Sequence, residues 1–261
     1  MPAYTILFLG DVVGRPGRTA VLQGLPSLQD TYQPLFTIVN GENSAGGVGI
    51  TPEIAEELFK AGADAITLGN HAFNKRDIAG YLETGKPIVR PSNMPPEVPG
   101  RGMATVEKDG VQLAVINLCG RIFMESYDDP FREFDRLYAT LGTRHVFLDF
   151  HAEATSEKIA MGYHCEGRAT AVVGTHTHVQ TADETILSGG TAYITDVGMC
   201  GPVNSVLGMH REVILKRFRT TMPQRFEVAN EPGVICGVVV SVERDTGRAT
   251  SIERIRFGEA A

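Results

Sequence analysis

Residues 169–178 read Ala-Thr-Ala-Val-Val-Gly-Thr-His-Thr-His. A short apolar, β-branched run that closes on Gly174 fits a strand covered on both faces. In open α/β sheets ligands collect just beyond the carboxyl ends of such strands, which is where His176 and His178 fall. Residues two apart in extended backbone point to one side, so both rings are expected to face a common point, and imidazole is the commonest nitrogen ligand for transition metals. Taken alone, a His-x-His pair is better read as two surface histidines in a polar turn. The other strand ends therefore decide.

The first strand, Tyr4–Gly10, runs into Asp11. Gly14-Arg-Pro-Gly17 makes a turn, and Pro16 is expected to open a helix with Val21, Leu22, Leu25 and Leu28 on its core face. Gly10-Asp-Val-Val-Gly14 has neither a Lys-Ser/Thr ending nor Gly-x-Gly-x-x-Gly spacing, which excludes a nucleotide-binding loop. A second strand, Leu35–Asn40, leads into Gly41-Glu42-Asn43-Ser44. Thr51 and Pro52 then start a helix that Gly62 closes. The third strand, Ala63–Leu68, ends in Gly69-Asn70-His71, and a later one, His145–Phe150, ends in His151 before a helix carrying Glu153, Glu157 and Lys158. Asp, Asn and His are ordinary turn residues singly. Their recurrence at the same end of successive strands points to one shared site.

Between Ala72 and about Ser126, five prolines interrupt any long helix, so this stretch is expected to be a lid or edge. It holds one clear strand, Val111–Leu118, after the turn signal Lys108-Asp109-Gly110. Residues 128–141 carry Phe131, Phe134, Leu137, Tyr138 and Leu141 at helical spacing, a core stripe with no chemical role. Thr191–Asp196 reads as a strand and 197–205 as a loop lining the pocket through backbone N–H groups. Gly233–Val242 and Arg248–Phe257 form a hairpin around 244–247. Antiparallel pairing beside strand-helix units makes this an α/β chain with mixed sheets.

At 261 residues, 43% hydrophobic and a net charge of −7, the chain has the composition of a globular protein of one large or two small domains. No run approaches the ~20 apolar residues of a membrane span, and Met1–Thr5 does not open a signal peptide, so a cytoplasmic protein without membrane attachment is expected. The cysteines, Cys119, Cys165, Cys200 and Cys236, are too scattered for a zinc ribbon or a disulfide framework and read as buried thiols. Acidic balance argues against a stable nucleic-acid partner. A homo-oligomer is left open.

Collected, the strand ends offer Asp11, Glu42, Asn43, Asn70, His71, His151, His176 and His178. One shared carboxylate with oxygen and nitrogen donors, and no thiolate, suits two borderline ions such as Fe or Mn, with Zn as a third choice. Two ions ~3.5–4 Å apart clamp a phosphoryl group and acidify a water, which implies phosphoester hydrolysis. Arg15, Arg18 and Arg121 could steer phosphate, but solvated faces suit them better. His145, His164 and His210 lie outside the series and read as structural.

In this order the motifs Gly10-Asp11, Gly41-Glu42-Asn43, Gly69-Asn70-His71, His151 and Gly174-Thr-His-Thr-His178 resemble the calcineurin-like metallophosphoesterase superfamily. Asp11-Val12-Val13 replaces the usual Asp-x-His and Glu42 the usual bridging Asp, and both departures look like the YmdB-like phosphodiesterase subfamily. The resemblance covers nearly the whole chain. It implies a single domain over 1–261, built as a sandwich of two mixed β-sheets with helices outside, and a small cover over the cleft from 72–126. It also implies one ion on Asp11, Glu42, Asn43 and His178, and a second on Glu42, Asn70, His151 and His176. His71 would be left as proton donor to a reaction in which a metal-bridging hydroxide attacks a small phosphodiester, 2′,3′-cyclic nucleotides above all. The alternatives are a phosphomonoesterase of the same fold, a non-catalytic metal-binding regulator, and an amidohydrolase, whose His-x-His pair belongs on the first strand.

Overall fold

The computed structural model describes residues 3–258. Strand β1 (Ala3–Leu9) continues almost directly into the two-residue β2 (Asp11–Val12). Helix α1 (Gly14–Tyr32) begins at Gly14, two residues before Pro16, because Gly14 takes φ +57 and turns the chain straight into the helix. Next come β3 (Phe36–Asn40), α2 (Pro52–Lys60), β4 (Ala65–Thr67), α3 (Ile78–Leu82) and β5 (Ile88–Val89). Thr51 caps α2 through Oγ1 to the Ile54 amide, with Pro52 at the first helical position, as the sequence predicts. Strands β6 (Met103–Lys108) and β7 (Val111–Cys119) follow as a hairpin, its turn made by Asp109 and Gly110, both at positive φ. Helix α4 (Pro130–Tyr138), capped by Asp129, leads to β8 (His145–His151) and α5 (Thr155–His164). The chain closes through β9 (Ala171–Thr175), β10 (Thr185–Ile186), β11 (Ala192–Ile194), β12 (Met199–Pro202), α6 (Arg211–Thr220), β13 (Gly233–Glu243) and β14 (Ala249–Phe257).

Two mixed sheets result. The first runs β2-β12-β13-β1-β3-β4-β5 with β14 beyond β13, and the second runs β10-β11-β9-β8-β7-β6. Their inner faces pack through Phe8, Ile38, Leu113, Phe147, Val173 and Val238, with the Phe8 and Phe147 rings 5.1 Å apart. Helices α1 and α2 cover the outer face of the first sheet, with Val21, Leu25, Ala55 and Leu58 inward. Helices α4 and α5 cover the second through Phe134, Leu137 and Met161. Leu22, expected on the core face of α1, is instead 36% exposed, and the rest of each apolar stripe read from the sequence faces a sheet.

Two expectations change. Residues 72–126, read as a lid or edge with one clear strand, hold three: β5 at the edge of the first sheet, and β6 at the edge of the second with β7 beside it. Their prolines break helices but leave short strands intact. Residues 199–202 form β12, parallel to β2 and antiparallel to β13, in place of the expected loop. Met-Cys-Gly-Pro has no β-rich signature, and its pairing follows from the neighbours that flank it. All four cysteines are free and buried. Among the described residues no helix is long and apolar enough to cross a membrane.

Candidate metal centre

Strands β1, β3, β4, β8 and β9 all end on one edge of the sandwich, and the loops that leave them bring the candidate residues together. At Gly10, between β1 and β2, a Cβ would collide with the Gly198 carbonyl oxygen, so only glycine lets the chain pass close enough for Asp11 to pair with Met199 of β12. Asp11, Glu42 and His151 are fully buried and Asn43 nearly so. Arg18, expected on a solvated face, instead donates from Nη1 to the Ser44 carbonyl at 2.6 Å and holds the Glu42 loop against α1.

Two groups of donor atoms form, with Glu42 common to both. In the first, His151 Nε2 lies 3.2 Å from Glu42 Oε1, 3.0 Å from Asn70 Oδ1 and 3.0 Å from His176 Nδ1. Glu42, His151 and His176 each bring a ligand atom within 4.8 Å of the others. In the second, the Asn43 amide nitrogen lies 2.9 Å from Glu42 Oε1 and 3.1 Å from His178 Nε2. The ends of an Asn amide are assigned by their partners, and exchanging them would present Oδ1 to an ion between Glu42 and His178. Asp11 accepts the His176 amide on Oδ2, while its buried Oδ1 has no hydrogen-bond partner.

These donors fit a cation. Glu42 Oε1, Asn70 Oδ1 and His176 Nδ1 all lie within 3.2 Å of His151 Nε2, a crowd of acceptors that repels itself unless a proton or a metal sits among them. Without an ion, a proton takes that place. Burial would lower the His151 pKa, but the charge and hydrogen bond of Glu42, with Asp11 and Asp149 behind it, push it up to about 9. Burial pushes His176 down to about 3, helped by the His151 charge, so it stays neutral. Burial likewise raises Asp11, whereas for Glu42 the His151 and His71 contacts override burial and hold its carboxyl well below the usual range. The orphaned Asp11 Oδ1 is a second buried acceptor suited to a cation.

The geometry of the His-x-His pair differs from expectation. Strand β9 stops at Thr175, and His176 and His178 adopt φ +100 and +65, so a left-handed turn aims the rings, not the pleat. That is why they address two groups of donors instead of one point. Such backbone costs of order 1–3 kcal/mol per residue and must be held from outside. Asp196 does so: its Oδ2 accepts the Thr177 amide at 3.1 Å and Oγ1 at 2.7 Å, and pairs with the buried Lys158 at 2.7 Å. The Leu207 carbonyl accepts from His178 Nδ1 at 3.1 Å, which leaves Nε2 free to face Asn43. Glu153, before α5 rather than on it, pairs with His176 Nε2 at 3.2 Å.

His71 differs from the rest. Its Nδ1 lies 2.9 Å from Asn43 Oδ1 and 3.4 Å from Glu42 Oε1, and its side chain stays 31% exposed, so it borders the cluster and reaches solvent. His145 bonds Tyr4 and His164 bonds Asp135, both structural as expected.

Residues 7–255 match the family described as YmdB-like protein. The chain belongs to that family. A relative named 2′,3′-cyclic-nucleotide 2′-phosphodiesterase, from Bacillus subtilis (strain 168), is 53% identical over 256 residues, 97% of each chain. The crystal structure of a novel phosphatase from Mycoplasma pneumoniae superposes with a TM-score of 0.93 at 35% identity, covering 98% of this chain and 94% of that one. A hypothetical protein from Thermus thermophilus superposes with a TM-score of 0.93 at 42% identity, covering 98% and 100%. The YmdB-like match spans every strand end that contributes to the centre.

Sequence reasoning passed over Asp149, Thr175, Asp196 and Leu207 as site residues. Asp149 carried a signal, since it sits two positions before His151 and shares its face of β8. The others act through contacts with residues distant in the chain.

Proposed function

We propose that this YmdB-like chain hydrolyses small phosphodiesters, 2′,3′-cyclic nucleotides foremost, with two ions held by Asp11, Glu42, Asn43 and His178 on one side and Glu42, Asn70, His151 and His176 on the other. The reaction class is that of a metal-dependent phosphoric diester hydrolase. The observation that carries the reading is the convergence of Glu42 Oε1, Asn70 Oδ1 and His176 Nδ1 on His151 Nε2, with the Asn43 amide lying between that same Glu42 oxygen and His178 Nε2. The relative at 53% identity supports the substrate class. We take residues 1–261 as one domain, in which the loop after β7 borders the centre: the Gly120 amide donates to the His151 carbonyl at 3.0 Å, and Glu157 holds the Arg121 and Ile122 amides.

Bound ions of the Fe, Mn or Zn kind supply Lewis-acid polarisation of the phosphate and make an attacking water acidic. The chain's own residues supply the rest. Glu42 carries the negative charge that both groups of donors share. His71, its Nδ1 beside Glu42 Oε1, keeps Nε2 for the leaving oxygen, to which it would deliver a proton. His176 stays neutral and ligates, while Glu153 holds its far nitrogen.

Purified protein loaded with Mn or Fe should turn over 2′,3′-cyclic AMP and bis(p-nitrophenyl) phosphate faster than p-nitrophenyl phosphate, and a chelator should abolish both activities. Preference for the monoester would make the chain a phosphomonoesterase. Metal bound without turnover of any phosphoester would make it a regulatory binding protein.

A further inference from the structure

Asp149 is fully buried beneath the metal centre and accepts three hydrogens: Asn40 Nδ2 at 2.9 Å and Thr67 Oγ1 at 2.5 Å on Oδ2, and Thr175 Oγ1 at 2.6 Å on Oδ1. A threonine hydroxyl has one proton. Because that proton goes to Asp149, Thr175 Oγ1 can only accept from His151 Nδ1, which lies 2.9 Å away. The ring proton of a neutral His151 is then held on Nδ1, and the lone pair on Nε2 faces Glu42, Asn70 and His176.

We infer that Asp149 is a positioning residue that, through the Thr175 hydroxyl, fixes the tautomer of His151 and so makes its Nε2 a metal ligand. The inference rests on the metal reading of the site. Two strands carry the chain of contacts, Asp149 and His151 on β8 and Thr175 at the end of β9, paired in register with His151 opposite Thr175. Its direction is set from the far side. Asn40 and Thr67 both donate to Oδ2, so that oxygen must remain an acceptor, and only the Oδ1 side is free to change.

This asymmetry makes Asp149→Asn a directed test. Asn40 and Thr67 would keep the new carbonyl oxygen on their side and turn the NH₂ toward Thr175. The hydroxyl would then accept from the amide and donate to His151 Nδ1, which moves the ring proton to Nε2, where the metal should bind. Shape and hydrogen-bond count are unchanged. A merely structural Asp149 would make this the mildest of substitutions, whereas tautomer control makes it the most damaging to metal affinity.

The readout is the dissociation constant for Mn²⁺ and Zn²⁺ by chelator competition, alongside the melting temperature of metal-free protein. Asp149→Asn should bind metal about 10–100-fold more weakly with little change in melting temperature. Thr175→Ser, which keeps the hydroxyl, should bind like wild type. Thr175→Val removes the relay without reversing it and should fall between. The double variant Asp149→Asn with Thr175→Val should bind more tightly than Asp149→Asn alone, because the amide can no longer reverse the hydroxyl. Wild-type affinity in Asp149→Asn, or a double variant no tighter than the single one, overturns the inference. If Asp149→Asn does not fold, the Thr175 pair decides: Val weaker than Ser supports it, and equal affinities overturn it. Wild-type protein that binds neither ion would instead remove the metal reading itself, a separate result from a wrong order among variants.

Discussion

Gly69→Ala tests the centre with one carbon atom. Gly69 is not at positive φ, so its role is space alone. A Cβ built there would lie 2.5 Å from His151 Nε2 and Cδ2, and closer still to Glu42 Oε2. Ordinary van der Waals contact begins at 3.4 Å, so the ring must retreat by about 0.9 Å and the carboxylate by slightly more. Metal–ligand distances tolerate ~0.2 Å. The ring is also fully buried and held between Thr175 and Glu42, and close-packed interiors yield little to such shifts. Two ligands are thereby displaced beyond tolerance at once, and metal affinity should drop by at least about 100-fold. The cost to the fold is smaller, about 1–3 kcal/mol for an overpacked methyl, which lowers the melting temperature of a chain this size by roughly 2–12 °C. Chelator competition and thermal melts in EDTA measure the two effects separately. Gly80→Ala on α3 is the control, since nothing lies within 4 Å of a Cβ there. A Gly69→Ala protein that keeps wild-type metal affinity would refute the assignment of Glu42 and His151 as ligands.

Replacing Glu42 with Gln should loosen both ions and cost more activity than Asn43→Ala, because Glu42 belongs to both groups of donors and Asn43 to one; full metal content in Glu42→Gln, by elemental analysis, would show that it is no bridge. His71→Ala should keep its metals and much of its rate on bis(p-nitrophenyl) phosphate, whose leaving group needs no proton, yet lose about 10²–10⁴-fold on 2′,3′-cyclic nucleotides. Equal losses on both substrates would count against His71 as proton donor. In metal-free protein the His151 pKa is raised from 6.5 to about 9, so its contribution to stability is complete below pH 6.5 and disappears as pH rises through about 9. Between pH 7 and 9.5, clear of Asp149 at about 6 and His176 at about 3, the melting temperature in EDTA should therefore fall more steeply than that of loaded protein. Metal binding at pH 7.5 should also release a proton, visible as a binding heat that varies with the buffer's ionisation enthalpy; parallel melting curves and a buffer-independent heat would contradict it.

Much of this protein is decided by neighbours in sequence. Thr51 and Asp129 cap their helices with their own side chains, Asp109-Gly110 turns its hairpin, and the apolar runs before Asp11, Glu42, Asn70 and His151 are strands whose alternation and length need no distant partner. Because those strands share one direction, the polar residues that end them must meet at one edge, and the donor set was legible for that reason. Other features exist only after residues far apart in the chain come into contact. His176 and His178 point where they do because Asp196 and Lys158 hold Thr177 in a turn that no local propensity favours. β12 is a strand because β2 and β13 offer it unpaired edges, not because Met-Cys-Gly-Pro prefers extension. Asp149 looks like one polar residue in a buried strand until Thr67, 82 positions earlier, and Thr175, 26 later, supply the hydrogens that set its role. A hydrogen bond's direction depends on every partner of both atoms, and those partners are assembled by the packing of the two sheets.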